Sequence, residues 1–197
     1  MTRVRRLRRG ISIIEVFLAA TFMLAILTVM LGFLRFSERG WRDGMNHGAV
    51  TLAAEMGLQR ISAEIRQCRR VVTGSSSTTV LTLQMPDYDG SGNLITPLAD
   101  GDLLSFYLSD TTGSTAASGN ILWKSVNGTP DSTWSLQDGK GRVLVASGGL
   151  TFGYVPSLAV SGGPESVTVS LTTTSTVSTS TRTVTMNQEA AIRNYGL

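Results

Sequence analysis

Residues 16–34 read VFLAATFMLAILTVMLGFL, a run of 19 residues from Val16 to Leu34 without a charged side chain. A helix rises 1.5 Å per residue, so this run would span roughly 28 Å, about the hydrocarbon thickness of a bilayer. The run is longer than the apolar region of an ordinary secretory signal, and no convincing small-residue cleavage site follows it. The sequence therefore predicts a transmembrane helix, which we place at residues 11–35.

Positive charge is concentrated ahead of this run. Five of the 17 Lys and Arg residues lie in the first nine positions, and they are Arg3, Arg5, Arg6, Arg8 and Arg9. The remainder has 12 basic against 14 acidic residues, so it carries −2 although the whole chain carries +3. A basic block before an apolar run predicts a cytoplasmic N-terminus and an outward-facing remainder. Because that remainder has no basic patch, nucleic acid is not expected as a partner.

One acidic residue, Glu15, stands where the chain enters the apolar run. A carboxylate at this depth is costly unless it is paired. Taken alone, Glu15 is compatible with two roles. It either reaches the lipid headgroups, or it pairs with a positive charge in an assembly.

The string RRGISIIEVFLAA (residues 8–20) resembles the processing signal of type IV prepilins and pseudopilins. The resemblance implies that residues 1–10 are a leader, that prepilin peptidase cuts between Gly10 and Ile11, and that the new amine is methylated. It also implies that Glu15 pairs with the amine of a neighbouring subunit during assembly. The implied partners are other pilin-like subunits and an inner-membrane assembly platform. The departures are Ile11, where Phe is commonest, and Ser12, where Thr is common.

A helical apolar pattern continues beyond the membrane run. Apolar residues recur at steps of four and three, at Ala54, Leu58, Ile61, Ile65, Cys68 and Val72. This period predicts one long helix from about Ser12 to Val72, whose stem at residues 36–73 packs on the outer domain. Cys68 is the only cysteine, so no intrachain disulfide is possible, and its place on the inner face predicts a buried small hydrophobe.

Four glycines occupy the middle of this predicted helix, at Gly32, Gly40, Gly44 and Gly48. Each glycine costs a helix about 1 kcal/mol, which would make the stem flexible or interrupted. Their spacing of four is also typical of a close-packing helix face. Both interpretations remain open from the sequence.

Downstream of residue 74 the apolar period changes to two. The predicted strands are residues 80–85, 103–108, 121–126, 142–146, 150–155, 167–171 and 183–186. Turn signals separate these strands, including Asn127-Gly128 and Gly148-Gly149. The last two strands, at 167–171 and 183–186, are predicted to form a hairpin with a polar tip near residues 172–181. The fold class is therefore α+β, with a long N-terminal helix packed on a C-terminal antiparallel β-sheet domain at residues 74–197.

The order of these segments is similar to that of J-type minor pseudopilins of type II secretion and W-type minor pilins. The similar pieces are LQRISAEIRQCRRV, DYDGSGN, LLSFYLS, ILWKSVNG, VLVASGGLTFGYV and AAIRNYGL. Lys124 stands where Arg is common in that group. The resemblance implies a low-copy subunit that acts in filament assembly or initiation.

The segment DYDGSGN alternates oxygen-bearing residues in a way that suits a calcium loop, with Asp87, Asp89, Ser91 and Asn93 as candidate ligands. The twelfth position, which would supply a bidentate Glu, is Leu98, and only an irregular loop could use Asp100 or Asp102 instead. An Asp/Gly-rich turn between strands is the preferred interpretation, so calcium is a secondary hypothesis and no other cofactor is expected.

The remaining candidates do not form a catalytic set. His47 is the only histidine and lies in the glycine-rich stem, which argues against zinc and against a Ser-His-Asp arrangement. Trp123, Trp134 and Tyr154 are expected in the core. We therefore expect no enzyme but a minor pilin or pseudopilin in the inner membrane, assembled into a surface or periplasmic filament. The alternative is a membrane-tethered binding or adhesin module.

Overall fold

The computed structural model describes residues 12–95, 99–114, 119–131, 145–161, 163–177 and 180–193. It has one long helix, α1 (Ile13–Gln67), followed by β-strands that pair antiparallel, so the α+β prediction is confirmed. The chain divides into two compact units, the first ending at Met45 and the second beginning at Asn46. All strands belong to the second unit.

Helix α1 continues through all four glycines in the middle of the predicted helix. A Cβ added at any of them would meet nothing within 4 Å, so no close neighbour within the described residues explains them.

The predicted helix end at about Val72 was wrong. The helix ends at Gln67, and the Arg69 amide donates to the Gln84 carbonyl at 2.8 Å. The next two residues form β1 (Arg70–Val71), which pairs with a later strand at Gln84 and Leu83. The backbone groups of residues 69–71 therefore form hydrogen bonds with a neighbouring strand, and they do not continue the hydrogen bonds of the helix.

Within the described residues, the first sheet has five antiparallel strands in chain order. They are β1, β2 (Leu81–Pro86), β3 (Asp100–Ser109), β4 (Ile121–Val126) and β5 (Thr129–Pro130). Asn127 and Gly128 join β4 to β5 with φ of 50° and 81°, the backbone that a two-residue type I′ hairpin requires. This confirms the turn predicted from Asn-Gly, although the short strands β1 and β5 were not foreseen.

The second sheet, as far as the structure describes the chain, has three antiparallel strands, also in chain order. They are β6 (Val145–Val155), β7 (Ser166–Val177) and β8 (Ser180–Ala191). The strand predicted at 150–155 lies within β6, whereas a turn was predicted between it and a separate strand at 142–146, of which residues 142–144 lie outside the described residues. Within the described part of the chain, β6 is one strand that bulges between Val145 and Leu150. Gly148 has φ of +69°, so the glycine pair makes a bulge and not a turn.

The predicted hairpin of the last two strands is confirmed, and its strands extend further into residues 172–181 than expected. Strands β7 and β8 pair continuously from Ser166↔Ala191 to Val177↔Ser180, so the Thr-rich segment is mostly strand. β-Branched threonines suit a half-buried pleated surface. One of them, Thr173, is buried and donates its hydroxyl to the Val50 carbonyl of α1 at 3.0 Å.

One hydrophobic core joins α1 to both sheets. Its members come from the helix, from the first sheet and from the second sheet, and include Leu58, Ile61, Ile65, Leu83, Phe106, Leu122, Phe152, Val169 and Leu171. Backbone bonds also link the sheets, because the Val145 amide donates to Asn120 at 2.7 Å and the Phe152 amide to Thr78 at 2.8 Å.

Candidate functional site

The most unusual surface in the described chain is the start of α1, residues 13–36, which we call the apolar segment. Its large side chains are exposed on every side of the helix, with Ile13 83%, Phe22 64% and Phe36 76% exposed. A helix that is apolar all round does not match the one-sided pattern of a soluble surface helix. By length and composition this segment could span a membrane.

The later part of the same helix has a different character. From residue 50 onward it buries one stripe against the domain, formed by Val50, Ala54, Leu58, Ile61 and Ile65. These positions follow each other at steps of four, four, three and four, as one face of a helix does. One helix therefore has a fully exposed apolar part and an amphipathic part that belongs to the domain core.

The N-terminal end of the apolar segment carries a polar cap. The Ser12 amide donates to Glu15 Oε2 at 3.3 Å, and the Ile14 amide donates to Ser12 Oγ at 3.3 Å. This is a capping-box arrangement, which satisfies two otherwise unpaired amides at the helix start. A carboxylate in the first turn also lies at the favourable end of the helix dipole.

Sequence reasoning singled out Glu15 but missed its partner Ser12. The signal was present as Ser-x-x-Glu directly before an apolar run, which is the sequence mark of a capping box. The predicted processing residues, Gly10 and Ile11, lie outside the described residues.

The segment DYDGSGN forms a tight turn. Asp89 Oδ1 accepts hydrogen bonds from the amides of Ser91 at 2.9 Å and Asn93 at 2.8 Å. These amides, that of Asn93 first, lower the pKa of the exposed Asp89 carboxyl. Tyr88 pairs with Leu94 across the loop, and Gly92 has φ of +82°. Asp89, Gly92 and Asn93 thus have a local structural role in this turn.

The carboxylates that a calcium ion would need have other contacts. Asp100 contacts the guanidinium groups of Arg69 at 2.5 Å and Arg70 at 2.8 Å, and Asp102 accepts from the Asn127 amide group at 2.8 Å. In the described ranges no three His, Cys, Asp or Glu side chains gather closely enough to hold a metal. The calcium hypothesis stays a prediction, and the contacts favour a turn.

The other predicted residues belong to the packing of the domain. Cys68 is buried as predicted, its thiol donates to the Ile65 carbonyl at 3.1 Å, and burial raises its pKa to about 12. Trp123 donates to the Asp110 carbonyl at 2.8 Å, and Tyr154 donates to the Ser77 carbonyl at 2.7 Å. Burial also raises the pKa of Tyr154. Trp134 lies outside the described residues, and His47 is exposed on α1.

A groove of about 430 Å³ was not foreseen from the sequence. It lies between α1 and β8 and is lined by Glu55, Leu58, Gln59, Met186, Asn187 and Gln188. Glu55 is the only ionisable side chain in this lining, so the groove has no acid–base pair of the kind that catalysis requires. It is a small, partly apolar depression beside a strand edge.

Comparisons of the chain with protein-family models, with curated proteins and with solved structures found no match. Its function has therefore to be inferred from its own residues and contacts.

Proposed function

We propose that this chain is a type IV pilin-like subunit, a minor pilin or pseudopilin of a type IV pilus or type II secretion filament. In this proposal prepilin peptidase removes residues 1–10, the apolar segment anchors the mature chain in the inner membrane, and the domain lies outside the cytoplasm. The observation that carries the proposal is the apolar segment itself, which is exposed all round and has its only carboxylate, Glu15, at its first turn.

An all-round apolar helix suits two environments in succession. In the membrane its side chains face lipid, and in a filament they would face the equivalent helices of other subunits. The domain core uses a separate stripe of α1, formed by Leu58, Ile61 and Ile65, so the anchor can change its surroundings without exposing that core. A subunit that moves from bilayer to filament requires such a separation between the part of the helix that anchors it and the part that packs on its domain.

The proposal also gives Glu15 an oppositely charged partner. Its carboxylate accepts one long hydrogen bond, at 3.3 Å, from the Ser12 amide. Cleavage after Gly10 would create a positive amine at Ile11, and this amine would add the attraction of a full opposite charge, which the uncharged Ser12 amide lacks. Pairing Glu15 with the amine of a neighbouring subunit would compensate a carboxylate that is otherwise costly in an apolar environment.

The decisive experiment is to determine the N-terminus of the full chain after membrane extraction, from cells with and without an active prepilin peptidase. We expect the mature chain to begin at Ile11, with a methylated amine, only where the peptidase is active. Gly10→Val should block the cut, whereas the matched change Gly48→Ala, in open space on α1, should leave it intact. A chain that still begins at Met1 or Thr2 beside an active peptidase contradicts the proposal.

A membrane-tethered binding module remains the competing function. The two are separated by mass spectrometry of sheared filaments, since a filament subunit must be present in them. Absence from filaments, combined with tight binding of the domain to a glycan or an exported protein, would favour the tethered module.

A further inference from the structure

Three arginines stand where α1 would leave a bilayer, at the end of the apolar segment. They are Arg35, Arg39 and Arg42, and all three are exposed. Their spacing of four and three places them on one face of the helix. Arg35 directly follows Leu34, the end of the uncharged run, and Arg39 lies roughly 7.5 Å beyond Leu34 at 1.5 Å per residue. Both positions fall in the headgroup layer, which adds roughly 5–8 Å to each side of the hydrocarbon core.

Two of these positive charges lack an acidic partner within the described residues. Glu38 Oε1 contacts Arg42 Nη2 at 2.5 Å, whereas no ion pair in the described part of the chain includes Arg35 or Arg39. Asp43, the other acidic residue of this stretch, lies further along the helix, away from the apolar segment. Because like charges four residues apart destabilise a helix, Arg35 and Arg39 together favour an anion between them.

The same face of α1 is apolar on the membrane side of these arginines. Leu31 precedes Arg35 by one turn and Leu24 by three turns, and the two leucines are 51% and 66% exposed. The Cα–Cβ bonds of a helix tilt towards its N-terminus, so the arginine side chains extend back over the turn before them. This face is complementary to a phospholipid, whose phosphate would contact the guanidinium groups while its acyl chains lie along the leucines.

We propose that Arg35 and Arg39 bind the phosphate of an anionic phospholipid at the membrane surface where α1 leaves the bilayer. The charge of the pair selects this ligand, because a zwitterionic headgroup brings a positive group together with its phosphate. Each guanidinium is a planar fork of donors that matches phosphate oxygens, so binding is directional as well as electrostatic. The inference rests on the membrane anchor of the proposed function, but not on leader cleavage or filament assembly.

Photo-cross-linking of the full chain in vesicles with equal amounts of phosphatidylglycerol and phosphatidylcholine tests this site. Leu31→p-benzoylphenylalanine reports on the lipid beside the arginine pair, and mass spectrometry of the adducts identifies that lipid. The same change at Met30 is the matched control. Met30 is 62% exposed and lies at nearly the same depth, but about 160° around the helix from the middle of the pair. We expect phosphatidylglycerol adducts to exceed phosphatidylcholine adducts about threefold or more at Leu31 and to be nearly equal at Met30.

Charge variants separate a phosphate site from general attraction. Arg35→Gln combined with Arg39→Gln should bring the adduct ratio at Leu31 close to one. Changing the same two arginines to Lys keeps the charge but removes the planar forks, so the ratio should be intermediate. Arg66→Gln combined with Arg193→Gln removes two exposed charges from the domain and should leave the ratio unchanged.

Several results would overturn the proposal. Equal adducts of the two lipids at Leu31, the same excess at Met30, or an excess that survives both Gln changes would remove the site and leave the anchor intact. Loss of the excess in millimolar inorganic phosphate would assign the pair to a soluble anion. Absence of lipid adducts at both positions would overturn the anchor itself, and with it the proposed function. None of these results depends on where the mature chain begins, so failure of this site and failure of processing are distinguishable.

Discussion

Lys124 of β4 donates a hydrogen bond to Glu64 of α1, with 3.0 Å between Nζ and Oε1. The two side chains are only 14% and 24% exposed, so the ion pair is largely shielded from water. On the other sheet, Thr173 binds the Val50 carbonyl of the same helix. Directed polar bonds thus fix the domain part of α1 on both sheets, in addition to the shared apolar core.

The Lys124–Glu64 pair should contribute measurably to stability. Removing one partner from a shielded pair leaves a poorly solvated charge, so we expect Lys124→Met or Glu64→Gln to lower the free energy of unfolding by about 1–2 kcal/mol. The double variant should lose less than the sum of the two single changes. Urea unfolding in detergent, followed by tryptophan fluorescence, measures all four chains. Strict additivity would show that the pair has no coupling energy.

The glycine pair in β6 gives a matched test of the bulge. A Cβ at Gly149 would lie 2.7 Å from the Thr172 carbonyl oxygen, whereas one at Gly153 in the same strand would make an ordinary contact at 3.6 Å. Gly149→Ala should therefore cost about 2 kcal/mol or more, and Gly153→Ala should be nearly neutral. Equal unfolding midpoints for the two variants would mean that the bulge is not a rigid feature.

Cys68 should make the fold sensitive to high pH. Burial raises the pKa of its thiol from 9.0 to about 12 in the folded chain, so the unfolded chain loses this proton first. Stability should then fall as pH rises from 9 towards 12, by up to about 1.4 kcal/mol per pH unit for one proton. Because tyrosines and lysines titrate in the same range, the measurement is the difference from Cys68→Ala. The variant should show the shallower slope, and parallel curves would contradict the prediction.

Capping and charge pairing at Glu15 can be separated by two variants. Glu15→Gln retains an oxygen that can accept from the Ser12 amide but removes the charge. Ser12→Ala keeps the charge and removes the side chain that caps Ile14, at a cost of about 0.5–2 kcal/mol to the helix. If pairing with a neighbouring amine drives assembly, Glu15→Gln should enter filaments poorly and Ser12→Ala nearly normally. Quantitative mass spectrometry of sheared filaments from the native strain decides between them. The reverse order would make Glu15 a helix cap only.

Local signals were sufficient for much of the fold. The 3.6-residue period predicted the buried stripe of α1, and Asn127-Gly128 predicted the β4–β5 hairpin, because each depends on neighbouring residues alone. The helix end could not be predicted in this way. The apolar residues after Gln67 keep a helical spacing. The backbone of Arg70 and Val71 nevertheless pairs with β2, which lies more than ten residues later in the sequence.

The same limit applies to the second sheet and to the candidate site. Gly148-Gly149 is equally compatible with a turn and a bulge, and only the pairing of Val145 with Thr173 and of Leu150 with Leu171 decides between them. The groove beside β8 needs the helix and the last strand to be packed, so no local pattern reveals it. The apolar segment and Glu15, by contrast, are contiguous in sequence, which is why composition alone predicted them.

The last prediction concerns the place of this chain in a filament. If it is a low-copy subunit, its domain must contact neighbours of different shape, and those contacts should survive without the membrane anchor. A fragment from Asn46, where the second compact unit begins, should co-purify with the soluble domains of pilin-like proteins encoded nearby. The matched control is the same fragment carrying Leu58→Asp, which disrupts the core that α1 shares with the sheets and should abolish the complex.

In sheared filaments the full chain should be far less abundant than the main shaft protein. Equal abundance would reject the minor role, because a shaft subunit repeats along the whole filament whereas an initiating subunit is needed only at its start.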